Sequence, residues 1–243
     1  MRALGRWLLL LLWALLGLQL FFVLRIVSMN WIAPESTSFQ RSQAWRIVWR
    51  DGQLPWRQDS VSLAAMAKSL QRAVIASEDS AFTQHSGIWW QSLENAWEKN
   101  NRAKAQAEKR AQRQADKPVA VKIVGGSTIS QQLAKNLFLS GERTLLRKAQ
   151  EMVLALTLEL LLSKSRILEI YLNNVEWGEG VFGAEAAAQH YFGKNAARLN
   201  AWESARLAVM LPRPRYFEKL AKSAYLARRA ETIMARMNDV VLP

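Results

Sequence analysis

From Trp7 to Leu24 the chain carries nothing more polar than Gln19, with Arg2 and Arg6 ahead of the run and Arg25 behind it. At 1.5 Å per residue a helix of that length measures about 27 Å, enough to cross the hydrocarbon of a bilayer. A core helix of a soluble domain would keep one polar face, and this segment has none. A cleaved leader would end on small residues, but Arg25-Ile26-Val27-Ser28-Met29-Asn30 offers no such site, so the run reads as an uncleaved signal anchor. Charge flanks favour an N-terminus inside and a body outside, although Arg25, Arg41 and Arg46 also lie beyond the span.

Everything after the anchor must fold beside a membrane, and its charge fits that setting. Lys and Arg number 33 against 20 Asp and Glu, a formal +13, which points to an anionic partner: nucleic acid, acidic headgroups or a phosphorylated substrate. The chain has no Cys, which removes disulfides, thiolate metal sites and a Cys nucleophile, and its two His leave little for a His-based metal cage. Residues 28–60 mix Pro, Gly and four Trp (31, 45, 49 and 56) and read as a stem with a short strand over Ala44–Trp49, closed by an Asp51-Gly52 turn. From Ser62 the pattern turns helical: Leu63, Met66, Leu70 and Val74 recur at helical spacing. Residues 94–117 are polar except for Ala and Trp97, a solvated helix or a mobile loop that Pro118 ends. Helical runs follow at 128–139, 144–162, 165–173, 183–190, 201–210 and 217–238, giving a mainly α body with one core.

Several polar residues are not explained by periodicity. Glu78 and Asp79 are adjacent carboxylates at the end of an apolar helix, an environment that raises the pKa of one of them, so that Glu78 can accept a proton near neutral pH. The plainer alternative makes Asp79 a cap and His85 a loop residue. After Gly125-Gly126, Thr128, Gln131, Gln132, Lys135 and Asn136 fall on one arc of a helix, with Ile129, Leu133, Ala134 and Leu137 on the other. Amides and a lone cation are unlike the Glu/Lys mix of a solvated face, and a helix opened by Gly, Ser and Thr favours an anion at its N-terminus. No Gly-Lys-Ser/Thr follows, which excludes a Walker loop. Arg147 and Glu151 sit one turn apart on a face that continues into Leu154 and Leu158; they are either a helix salt bridge or a charge pair aimed at a ligand.

Together these residues carry a resemblance. Glu78-Asp79-x-x-Phe82-x-x-His85-x-Gly87, Gly126-Ser127-Thr128-Ile129-x-Gln131-Gln132-x-x-Lys135-Asn136, Arg147-Lys148-x-x-Glu151 and Ile167-Leu168-Glu169-x-Tyr171-Leu172-Asn173 resemble, in order, the peptidoglycan glycosyltransferases, most closely the monofunctional biosynthetic transglycosylases. The match runs from about Ser62 to Tyr216. Ser130 stands where Thr is common, Arg213 where a smaller polar residue is expected, and the segment 94–117 looks longer than usual.

The resemblance implies a mainly α, lysozyme-like domain with a smaller flexible membrane-proximal lobe. The expected division is a cytoplasmic tail at 1–6, the anchor at 7–27, a stem at 28–61 and the catalytic domain at 62–243. The enzyme would sit in the bacterial inner membrane by a single span, with its catalytic domain in the periplasm. Its substrates would be lipid II and the growing glycan strand, its product β-1,4-linked glycan, and its leaving group undecaprenyl diphosphate. Glu78 would be the general base, and Glu151 would position the donor, its diphosphate or an accompanying Mg²⁺ or other divalent cation. Lys135, Arg147 and Lys148 would neutralise the leaving charge; Asp79, Phe82, His85, Ser127, Thr128, Gln132 and Asn136 would complete substrate binding. No protein-held metal site and no organic cofactor is expected. Cell-division or cell-wall synthesis proteins are expected as partners, and nucleic acid is not.

The competing enzyme is a lysozyme-like hydrolase or lytic transglycosylase, which needs an acid for a neutral leaving group but no cation cluster. The competing non-enzyme is an inactive cell-wall scaffold, against which the presence of both Glu78 and Glu151 argues. On this reading the chemistry lies wholly in residues 62–216, and removal of residues 1–27 leaves a folded body. Trp89 and Trp90 either reach the headgroups or pack between lobes.

Overall fold

The computed structural model describes residues 2–113, 126–142, 144–220 and 223–243. Gly125 and Pro118, both singled out in the sequence, lie outside the described residues. The architecture is mainly α, as the periodicity predicts. Helix α1 (Arg2–Ser28) is long and apolar enough to cross a membrane. It does not end as a free tether: Ile26 and Met29 are fully buried, and Phe22 packs on the same core and edge-on against Phe138 at 5.2 Å. Burying Ile26 and Met29 is worth about 1.5–3 kcal/mol each. The boundary expected at residue 27 therefore cuts through the core. Helix α6 (Leu145–Leu161) lies alongside the second half of α1. The Gln19 and Gln150 amides exchange hydrogen bonds at 3.3 Å, and Asn30 donates to the Leu161 carbonyl at 3.1 Å.

Residues 28–61 are likewise part of the body. Instead of a strand over Ala44–Trp49, the structure has helix α2 (Ser38–Asp51). Its start is fixed by a capping box in which Thr37 accepts from the Gln40 N–H and the Gln40 side chain accepts from the Thr37 N–H; its end is fixed by Gly52 at φ 68°. The Ile47 and Val48 side chains suggest a strand, but the two caps, together with Gln40 and Ile47 buried two turns apart, override that local preference. Strand β1 (Arg57–Gln58) then pairs in parallel with β3 (Val181–Phe182), which forms a hairpin with β2 (Glu176–Gly178). The glycine-rich turn thus builds a small sheet.

Helix α3 (Lys68–Glu78) crosses the core and packs on α9 (Ala201–Met210) and α11 (Ala224–Arg236). Leu70, Val74 and Ile75 are fully buried, as the helical spacing requires. The single helix expected over 217–238 is two: α10 (Pro214–Glu218) and α11, with Ser223 capping the second. Helix α4 (Trp90–Arg113) accounts for the described part of the basic segment and leaves Trp90, Leu93 and Trp97 exposed along one stripe. Helices α5 (Ile129–Phe138) and α6 pack together. Helix α7 (Lys164–Asn174) lies against α5 and places the fully buried Tyr171 beneath it, and α8 (Ala184–Phe192) closes the sheet.

Candidate active site

The ends of α3, α5 and α6 converge. Glu78, the last residue of α3, is half-buried, and Gln132 of α5 donates to its Oε2 at 3.0 Å while Ser77 donates to Oε1 at 3.3 Å. The Gln132 amide cannot turn over freely, because the Tyr171 hydroxyl donates to its Oε1 at 3.0 Å and so directs its N–H at Glu78. Burial pushes the Glu78 carboxyl above the ordinary range, the neighbouring Asp79 charge adds to this, and the Gln132 and Ser77 hydrogen bonds partly oppose it. Burial and the same two carboxylates raise Tyr171 well above its usual range, so it stays a donor.

Asp79 has a different occupation. Its carboxylate accepts from the Ile129 N–H at 3.0 Å and from His85 Nε2 at 2.9 Å, while the Gly87 N–H donates to His85 Nδ1 at 3.2 Å. A Nδ1 that accepts leaves the proton on Nε2, so His85 faces Asp79 as a donor. Thr128 caps α5 and donates to the Gly87 carbonyl at 2.6 Å. The anion expected at the opening of α5 is therefore the chain's own Asp79, and no external ligand is needed there. Asp79, His85, Thr128 and the fully buried Phe82 brace the loop that follows Glu78 and do not line the cleft described below; Glu78 does not line it either and meets it through Gln132. Trp89 lies near-parallel to His85 at 6.4 Å, half-buried, whereas Trp90 is exposed.

Seven of the singled-out residues do share a cleft. Ser127, Gln132, Lys135, Asn136, Arg147, Lys148 and Glu151 line a cavity of about 740 Å³. Glu151 is 3% exposed at its floor, where Arg147 donates to Oε2 at 2.8 Å and Lys148 to Oε1. Lys148 also reaches Ser127 Oγ at 3.2 Å. Lys135 projects into the same space, where desolvation between the walls lowers its ammonium below the ordinary lysine range; Arg147 and Lys148 add to this, and Glu151 and Glu78 oppose it. Arg147 keeps a buried Nε–H with no acceptor among the described residues. Three cations around one carboxylate leave an excess of positive charge and a spare donor, an arrangement suited to an anionic group with several oxygens. Both Glu151 oxygens are taken by cations, and no group of three acidic, His or Cys side chains is placed to hold a metal among the described residues, so the cleft does not fit a resident metal ion.

The sequence did not single out Ser38, Phe39 and Ser42 of α2, which line the opposite wall. The Thr37-x-x-Gln40 spacing marks the start of that helix, but no signal in it assigns a cleft. The cleft thus reaches beyond residues 62–216.

Comparisons with known proteins give the family. A family model described as Transglycosylase matches residues 51–238. The chain is 48% identical over 230 residues to a biosynthetic peptidoglycan transglycosylase of Burkholderia thailandensis, covering 95% of this chain and 84% of the relative. A protein of the same description from Herminiimonas arsenicoxydans is 48% identical over 229 residues (93% and 91% covered), and one from Bordetella pertussis is 47% identical over 210 (86% and 82%). A cation-rich cleft, with the half-buried Glu78 hydrogen-bonded to its lining residue Gln132, is therefore found in a chain that belongs to the transglycosylase family.

Proposed function

We propose that this enzyme polymerises lipid II into β-1,4-linked glycan strands of peptidoglycan and releases undecaprenyl diphosphate. The observation that carries the proposal is the link from Glu78 through Gln132 to the cleft holding Lys135, Arg147 and Lys148. Glu78 takes the proton of the acceptor's 4-hydroxyl as that oxygen attacks the donor's anomeric carbon, and the anomeric centre inverts as the diphosphate leaves. Burial raises the carboxyl's proton affinity, which favours this role. Lys135, Arg147 and Lys148 neutralise the charge that grows on the leaving diphosphate, and Glu151 holds the last two in place. A divalent cation, where used, travels on the diphosphate oxygens as part of the substrate.

The apolar helix α1 anchors the chain in the bacterial inner membrane with the body in the periplasm, where a lipid-tailed substrate can reach the cleft. The test is polymer formation from lipid II by the full chain in detergent micelles. Glu78→Gln abolishes it without loss of fold, and near-normal turnover by that variant refutes the assignment of the base. Lys135→Ala and Arg147→Ala each lose about 2–4 kcal/mol of transition-state stabilisation.

A further inference from the structure

We propose that helix α2 is the wall of the cleft that reads the sugar of the substrate. The inference rests on the reaction proposed above and names what one side of its site recognises. Ser38, Phe39 and Ser42 line the same cavity as Lys135 and Glu151, yet all three precede residue 51, where the family match begins.

The wall is rigid. The Thr37–Gln40 capping box fixes its first turn, Ile47 is fully buried, and Arg46 binds Glu179 at 2.7 Å. Phe39 meets Phe182 edge-on at 6.3 Å, which ties the lining residue itself to the small sheet.

The chemistry of the cleft is divided between its walls. Among the described residues, every ionisable lining residue comes from α5, the segment after it, or α6: Lys135, Glu142, Arg147, Lys148 and Glu151. Helix α2 contributes one aromatic ring and two hydroxyls. Arg41 donates to Ser38 Oγ at 3.2 Å, which leaves the Ser38 proton free to be donated into the cleft. Ser42 donates to the Phe39 carbonyl at 2.7 Å and accepts from Gln43 Nε2 at 3.5 Å, which leaves one lone pair of its oxygen to accept from a ligand. A diphosphate needs cations, whereas a sugar ring presents hydroxyls that both donate and accept and an apolar C–H face that suits an aromatic ring. The two walls match the two halves of a lipid-linked sugar diphosphate.

The experiment uses the full chain in detergent micelles, with lipid II as substrate and sugar-free undecaprenyl diphosphate as competitor. Two variants are compared with the parent: the double change Ser38→Ala with Ser42→Ala, and the blocking change Ser42→Trp. Phe39 is left alone because it packs on Phe182. The expected result for the double variant is a KM for lipid II raised about tenfold, as for two lost hydrogen bonds, with kcat within about twofold. Ser42→Trp raises KM further, and in both variants inhibition by the sugar-free diphosphate is unchanged, a split that a general loss of structure does not produce. A KM within about twofold of the parent in both variants, a fall in kcat alone, or an equal weakening of the sugar-free competitor overturns the assignment. A parent that forms no polymer overturns the reaction and this inference together, whereas an active parent beside indifferent variants overturns the α2 wall alone.

Discussion

Glu78 and Glu151 are both carboxylates of the site, but their removal affects folding in opposite directions. Glu151 is a buried anion held by Arg147 at 2.8 Å and by Lys148, with side-chain exposures of 4%, 17% and 35%. Glu151→Gln keeps the shape and one acceptor but leaves two cations facing each other across a neutral amide. Loss of one partner of a fully buried pair costs about 3–5 kcal/mol; solvent reaching Lys148 reduces this to about 2–4 kcal/mol. For a body of this size that is a fall in Tm of about 5–15 °C. Glu78 is the reverse case. Its carboxyl is raised by burial, so its contribution to stability is present when it is protonated and is lost as pH rises through its folded pKa. Glu78→Gln mimics the protonated form, so at neutral pH it melts at or above the parent temperature while polymerisation disappears. Far-UV circular dichroism melts of the three proteins in the same micelles, with lipid II turnover measured in parallel, provide the test. A Glu151→Gln protein that melts with the parent, or a Glu78→Gln protein that melts well below it, refutes the electrostatic reasoning.

The same pKa directions shape the pH profile: activity falls on the acid side as the raised Glu78 is protonated, and on the alkaline side as the lowered Lys135 loses its charge. Lys135→Arg, whose charge persists, extends activity to higher pH, and initial rates across pH show whether the alkaline limb moves. Tyr171→Phe frees the Gln132 amide, removes a hydrogen bond that favours ionised Glu78, and so shifts the acid limb to higher pH, at a stability cost of about 0.5–1.5 kcal/mol. Gly180 sits at φ 73°, where an added Cβ would lie 2.1 Å from the Pro55 carbonyl oxygen, so Gly180→Ala separates β1 from the hairpin and lowers Tm by several degrees, readable by melting.

The sequence revealed those parts of the molecule governed by a regular spacing. Leu70 and Val74 marked the buried face of α3, and Arg147 with Glu151 marked a charged pair leading into Leu154 and Leu158, because helical contacts repeat every three or four residues. It singled out Glu78, Lys135 and Arg147, but only the four motifs taken together, through the family resemblance, gave them roles, since a helix salt bridge accounts equally for Arg147 with Glu151. It could not separate residues that touch a ligand from those that hold the site: Asp79, His85 and Thr128 have the composition of a binding site, yet they hydrogen-bond to one another, to Gly87 or to the start of α5. Helix α2 was hidden by its Trp and β-branched residues, whose strand preference is weaker than two caps and a buried Ile47. Its place on the cleft depends on the fold of residues far away in sequence, which no local pattern records.

The burial of Ile26 and Met29 in the body's core has a consequence for how the molecule is made. Helix α1 precedes in the chain the elements that pack on Ile26 and Met29, so the core of the body closes only once those elements have folded against its end. The helix is also not interchangeable along its length. Residues 4–18 are exposed, so a foreign apolar sequence could replace them without loss of a buried contact. From Gln19 onward the graft would have to reproduce the amide that meets Gln150, the ring that meets Phe138 and the side chain that fills the site of Ile26. The N-terminal half of α1 is thus a generic apolar segment, whereas the C-terminal half is built to fit the body.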